Sequence, residues 1–146
     1  MKRSLPLRAH TTRIENRHGG GVPDLFIQWD GVGFWVELKV AKGSRVLLSP
    51  EQVVWHLRQS AAEGRSYVLV KCPLPPYLRA YPGSAAPLIA SEGLSCGRAV
   101  VEADTPAAAL EALRTHAIGE TLAALRPHAV ECPAAGEAHA EKAPGH

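Results

Sequence analysis

The stretch Gly21-Val22-Pro23-Asp24-Leu25-Phe26-Ile27-Gln28-Trp29-Asp30-Gly31-Val32-Gly33-Phe34-Trp35-Val36-Glu37-Leu38-Lys39-Val40 reads as two strands joined by a turn. Val, Leu, Phe, Ile and Trp crowd Val22 to Trp29, and Phe34 to Val40 is a second run of the same kind. Asp30-Gly31-Val32-Gly33 between them is turn chemistry, so a central hairpin is expected. Three polar residues interrupt its apolar runs: Asp24 at the start of the first strand, Glu37 and Lys39 in the second. Side chains alternate along a strand, so Glu37 and Lys39 share one face and Leu38 takes the other. An antiparallel hairpin sets Asp24 near its far end, roughly opposite Glu37 and Lys39. Two carboxylates and an amine then converge on one patch beside the sheet.

Moving outward, Ala41 to Arg45 is a polar, basic loop, and Ser49-Pro50-Glu51-Gln52 opens a helix. Ser49 is a good N-cap, Pro50 suits the first helical position, and Gln52 completes a capping box. Val53, Val54, Leu57 and Ala61 form an apolar stripe at helical spacing, and Gly64 ends the helix. Ser66 to Cys72 is a strand of buried type. Strand, strand, helix, strand implies an α/β domain, a sheet covered by helices. Pro73 to Pro87 reads as a loop, Arg98 to Ala103 as an edge strand, and Thr105-Pro106 starts a helix through Ala109, Leu110, Leu113 and Ala117. Upstream, Ile14 and its neighbours form a short strand before Gly19-Gly20-Gly21. A single domain is expected over residues 1–126, and the Ala-, Glu-, His- and Pro-rich residues 127–146 read as a disordered tail.

Composition narrows the class. The 146 residues are 46% hydrophobic and 21% charged, ordinary for one globular domain. No apolar run approaches the roughly 18 residues of a membrane helix, and no apolar segment follows Met1-Lys2-Arg3 as a signal peptide requires. Cys72, Cys96 and Cys132 form no CxxC pair, so reduced thiols in a cytoplasmic protein are expected. The net charge of +2 hides an asymmetry: residues 1–79 carry 12 Lys and Arg against 6 Asp and Glu, residues 80–146 carry 4 against 8. The basic half holds the Asp24–Glu37–Lys39 constellation, as a phosphate-backbone binder would.

That constellation suits metal-assisted hydrolysis. Mg²⁺ takes one or two carboxylates and completes its shell with water and substrate phosphate. Held there, it polarises a phosphodiester oxygen and lowers the pKa of a bound water. Lys39 can position that water or stabilise charge developing on the phosphate. The competing reading is a solvated hairpin face with an ordinary Glu–Lys pair. Ser49 is better explained as a cap than as a nucleophile, and His56 as a solvated residue. Arg13, Arg17, Lys42 and Arg45 flank the site in sequence and are candidate phosphate contacts.

Gly21-Val22-Pro23-Asp24-Leu25, then Trp35-Val36-Glu37-Leu38-Lys39, then Leu48-Ser49-Pro50-Glu51-Gln52 with Trp55 resembles the PD-(D/E)xK nuclease superfamily. Within it, the chain looks most like the VRR-NUC group, especially its small stand-alone members from phages and prophages. The resemblance covers about residues 10–72. It implies a restriction-endonuclease-like mixed sheet flanked by helices, and an Mg²⁺-dependent endonuclease (Mn²⁺ substituting) that acts on DNA, branched or Holliday-junction DNA included. Carried over, Asp24 and Glu37 are metal ligands, the Leu38 carbonyl is a further ligand, and Lys39 is the catalytic lysine. Gln52 matches the family's glutamine after the serine. Many relatives carry another glutamate upstream of the aspartate. Here Glu15 stands in, or a third carboxylate is absent. Stand-alone members are expected to work as homodimers: part of Leu88, Ile89, Val100, Val101, Leu110, Leu113, Ile118 and Leu122 closes the core and the remainder forms the partner surface, the alternative being that all of it serves one monomer's core. The rival is a catalytically silent nucleic-acid-binding module on the same fold.

Overall fold

A computed structural model describes residues 8–15 and 20–123. Arg17, Cys132 and the expected tail lie outside the described residues.

Asp30 and Gly31 both take positive φ, 52° and 81°, the two-residue turn that matches strand twist. This tight turn joins β2 (Leu25–Trp29) to β3 (Val32–Val40), so β3 begins two residues earlier than Phe34. β1 (Ala9–Arg13) pairs with β2 on the outer side. After β3 the chain crosses through α1 (Pro50–Ala61) to β4 (Ser66–Lys71), which lies parallel to β3. Then follow β5 (Leu78–Pro82), α2 (Ala86–Glu92), β6 (Val101–Ala103) and a last helix, α3, over residues 106–123. The six strands stand in the sheet in chain order. Every neighbouring pair except β3–β4 is antiparallel. This mixed sheet flanked by helices is the α/β arrangement expected of a restriction-endonuclease-like domain.

Each face of the sheet has its own core. Leu25, Ile27, Trp29, Phe34, Val36, Tyr67, Leu69 and Ala80 meet Ala109, Leu110, Leu113 and Ala117 of α3. Phe34 and Tyr67 pack edge to face, their ring centres 5.8 Å apart. On the opposite face Val68, Val70, Cys72 and Tyr81 meet Ala85 and Ile89 of the α2 segment. α1 covers the rest of that face, with Trp55 5.3 Å from Trp35.

Three expectations are corrected. Pro73–Pro87 is not all loop: Leu78–Pro82 is a strand paired with β4, and Ala86 begins a helix. Proline masks this strand because Pro82 sits at its last position, where a missing ladder donor is tolerated. The edge strand is present but shortened to Val101–Ala103. The stripe Val53, Val54, Leu57, Ala61 is not the packed face of α1, since Val54 and Leu57 are 44% and 40% exposed. The helix turns Gln52, Val53, His56, Gln59 and Ser60 inward instead, and its one fully buried residue is His56.

Candidate active site

Pro23 and Asp24 peel away from the hairpin ladder, and a side chain takes over the pairing. Asp24 Oδ2 accepts the Leu38 N–H at 2.8 Å, while the Asp24 carbonyl accepts the Ile14 N–H at 2.8 Å. Leu25 pairs with Val36, so the next step along the register sets Asp24 across from Glu37. The two carboxyl groups are close enough to share a hydrogen bond. Alternation puts Lys39 on the same face, above β4 residues Val68 and Val70. The hairpin thus brings Asp24, Glu37 and Lys39 together.

Glu37 is 3% exposed, and its Oε1 has no hydrogen-bond partner. Burial pushes its pKa from 4.5 up to about 8, Asp24's hydrogen bond and negative charge push the same way, and Lys39 offsets part of the rise. With no cation present, Glu37 therefore holds a proton near neutral pH. Among the described residues no group of three or more His, Cys, Asp or Glu side chains gathers as a metal cluster. Glu15 does not join Asp24 and Glu37. The Ile14 N–H donates to the Asp24 carbonyl, and Glu15, one residue further on and past the end of β1, is exposed.

The first turn of α1 packs against Gly21, three residues before Asp24. Gly21, at φ +71°, lies so close that a Cβ would sit 2.2 Å from the Glu51 carbonyl oxygen, so only glycine fits. The Gln52 side chain is engaged in its own helix end: its Oε1 accepts the Ser49 N–H at 2.9 Å, and Ser49 Oγ accepts the Gln52 N–H at 3.2 Å. Both halves of the expected capping box are present. Lys42 and Arg45 are exposed in the short loop after β3, bridged to each other through their backbones. Arg13 is exposed too, but its register partner is Leu25, on the α3 side of the sheet.

His56 was expected in solvent and is fully buried. Its Nδ1 pairs with Ser66 Oγ at 2.8 Å, its Nε2 has no partner, and Gly83 packs so tightly there that a Cβ would meet Ser66 Oγ at 2.1 Å. Burial lowers its pKa from 6.5 to about 4, helped by the positive charge of Lys39, so the imidazole is neutral. The available signal was the polar spacing Gln52, His56, Gln59, Ser60, which a search for apolar periodicity passes over.

No protein-family model and no curated protein matches the chain. Among solved structures, Hjc of Archaeoglobus fulgidus, a Holliday junction resolvase from an archaeal hyperthermophile, is similar at 19% identity and a TM-score of 0.41. The match covers 52% of this chain and 64% of Hjc, so it spans less than two thirds of that protein.

Proposed function

We propose that the protein is a divalent-metal-dependent nuclease of the PD-(D/E)xK type that hydrolyses phosphodiester bonds in DNA. The observation that carries this reading is the buried Glu37 carboxyl against Asp24, with Oε1 unsatisfied. A buried carboxylate pair is unfavourable unless a proton or a cation offsets it. Mg²⁺, or Mn²⁺ in its place, fits this donor set: Asp24, Glu37 and the Leu38 carbonyl would hold it, and Glu15 is left out. Bound there, the ion supplies Lewis acidity and a water of lowered pKa.

The chain's own residues do the rest. Lys39 sets a compact positive charge on the carboxylate face, where a phosphate's developing charge needs it. Gln52 caps the first turn of α1, and its amide nitrogen is left over for substrate. Lys42 and Arg45 supply backbone contacts, and Arg13, on the α3 side, is left out. The resemblance to the VRR-NUC group, in its phage-type stand-alone form, favours branched DNA as substrate. The alternative, a silent binding module, gains nothing from two carboxylates facing phosphates.

Labelled linear, flapped and four-way-junction DNA, incubated with Mg²⁺ or with EDTA, tests the reading. Cleavage of at least one substrate in Mg²⁺, none in EDTA and none by Glu37→Gln is expected. Binding without cleavage in all conditions would establish the silent module. We also propose a homodimer, because symmetric cutting of two strands needs two sites. Ile89, Val101, Leu110 and Leu113 serve the monomer's own cores, which leaves Val100 and Leu122 exposed for a partner. Light scattering after size exclusion decides this: a mass near 15.6 kDa ends the dimer proposal.

A further inference from the structure

Behind the carboxylate pair, on the α3 side of the sheet, lies a groove of about 440 Å³ at the ends of β3 and β4. Its floor is apolar, made by Leu38, Leu69 and Leu78, and its rim carries Val40, Lys71, Tyr77 and Asp104. The groove shares strand β3 with the site: Leu38, Lys39 and Val40 all line it, and by strand alternation Lys39 stands on the same side as Glu37. From Glu37 to Val40 the strand covers only about 10 Å. Val40 and Tyr77 are 68% and 45% exposed, so large apolar groups stand in water here with no partner from the described residues.

Tyr77 is held ready. Its carbonyl accepts the Cys72 N–H at 2.7 Å, and its N–H donates to Asp104 Oδ1 at 3.3 Å. These bonds tie the residue to the β4 end on one side and to the segment before α3 on the other. The Lys71 amine is exposed beside it, at the β4 position paired with Val40 and Leu78. An apolar floor, a half-exposed aromatic ring and an adjacent ammonium are what a single nucleic-acid strand stacks and pairs its phosphate upon. The Asp104 carboxylate adds an acceptor for a base's exocyclic amino group. A volume of this size holds a small planar ligand.

We propose that this groove takes one unstacked base of the DNA strand that the carboxylate pair cuts. Tyr77 stacks on the base and Lys71 contacts its phosphate. The inference rests on the nuclease reading for the identity of the strand, and it gives that reading a preference for DNA with unpaired nucleotides beside the cut.

The test is a fluorescence titration of a single-stranded oligonucleotide carrying one 2-aminopurine, in EDTA so that no turnover occurs. The wild-type protein is expected to quench the probe saturably. Tyr77→Ala is expected to abolish the quench and weaken binding about tenfold, while Tyr77→Phe keeps both. Lys71→Gln is expected to weaken binding and lower the salt slope by about one. No quench by the wild-type protein, or the same quench and affinity in Tyr77→Ala, overturns the proposal. So does a dimer that Tyr77→Ala dissociates while leaving the fluorescence unchanged, which would assign the groove to a second copy. Because the readout needs neither metal nor cleavage, an uncut substrate panel counts against the nuclease reading alone.

Discussion

The α3 side and the α1 side of this sheet are built from opposite materials. On the α3 side, leucines, aromatics and alanines close against one another. The one buried hydroxyl of the set, on Tyr67, is paired with His116 at 2.8 Å, and Arg114 lies over Trp29. Unpaired atoms on the α3 side, Thr11 Oγ1 and Arg114 Nε, belong to partly exposed residues, whereas on the opposite side a carboxyl, an imidazole and the Tyr81 hydroxyl are buried with an atom left unpaired. Unsatisfied buried polar atoms cost stability, and a fold keeps them where they serve something other than stability. One face therefore holds the domain together and the other holds its chemistry.

The most severe break in that division comes from the site itself. Asp24→Asn, Glu37→Gln and Lys39→Ala should each lower the cleavage rate by more than about 100-fold, since each removes a charge the transition state needs. Glu37→Gln should leave the melting temperature unchanged or raised, because a neutral amide replaces a carboxyl whose charged form the fold resists. Parallel cleavage assays and thermal melts check both, and a large loss of stability in Glu37→Gln would undo the contrast.

The complementary change is Leu113→Ala on the other face. Leu113 is fully buried against the sheet, so truncation should cost about 2–5 kcal/mol in urea denaturation. Val54→Ala on exposed α1 should stay within about 0.5 kcal/mol.

Acidity sharpens the comparison further. The folded Glu37 keeps a proton that the unfolded chain releases between pH 4.5 and about 8, so metal-free stability falls as pH rises through that window. His56 does the reverse: the unfolded chain takes a proton near pH 6.5 that the fold refuses until about 4, so its contribution is lost as pH drops. Between pH 6.5 and 8 only the Glu37 effect remains, and the metal-free melting temperature should decline there. Glu37→Gln should flatten that decline, and Mg²⁺, which needs the ionised carboxylate, should reverse it. Melts across pH in EDTA and in Mg²⁺ read this out.

The smallest effect belongs to the helix end. Ser49→Ala should cost about 1 kcal/mol by removing the cap, and Gln52→Ala a similar amount or less. A cleavage loss in Gln52→Ala well beyond that stability change would show the amide at work on substrate.

Local chemistry was legible wherever it acted alone. The Asp30-Gly31 turn, the Ser49–Gln52 box and the Asp24, Glu37, Lys39 set could each be read from a few neighbouring residues. Two things were not. β5 follows Pro73, Pro75 and Pro76 and ends in Pro82, and only its pairing with β4 shows that Leu78–Pro82 continues the sheet. α1 packs through a polar stripe, because His56 satisfies Ser66 across the interface, and an apolar-period reading selects the wrong face. Both depend on partners distant in the chain, which single-sequence patterns do not carry.

The order of strands has a consequence for how the molecule is made. Each strand's neighbour in the sheet is its neighbour in the chain, so the sheet grows at one edge without threading, its longer closures being the crossover through α1 and the return through α2. During synthesis the Asp24–Glu37 pair can assemble as soon as β3 is complete, and α1 and β4 follow to bury it. The α3 layer, which closes the apolar face, comes last. For that interval the nascent domain shows water a sheet of exposed Leu25, Ile27, Phe34 and Leu69, so α3 truncation should produce aggregation rather than a smaller soluble domain.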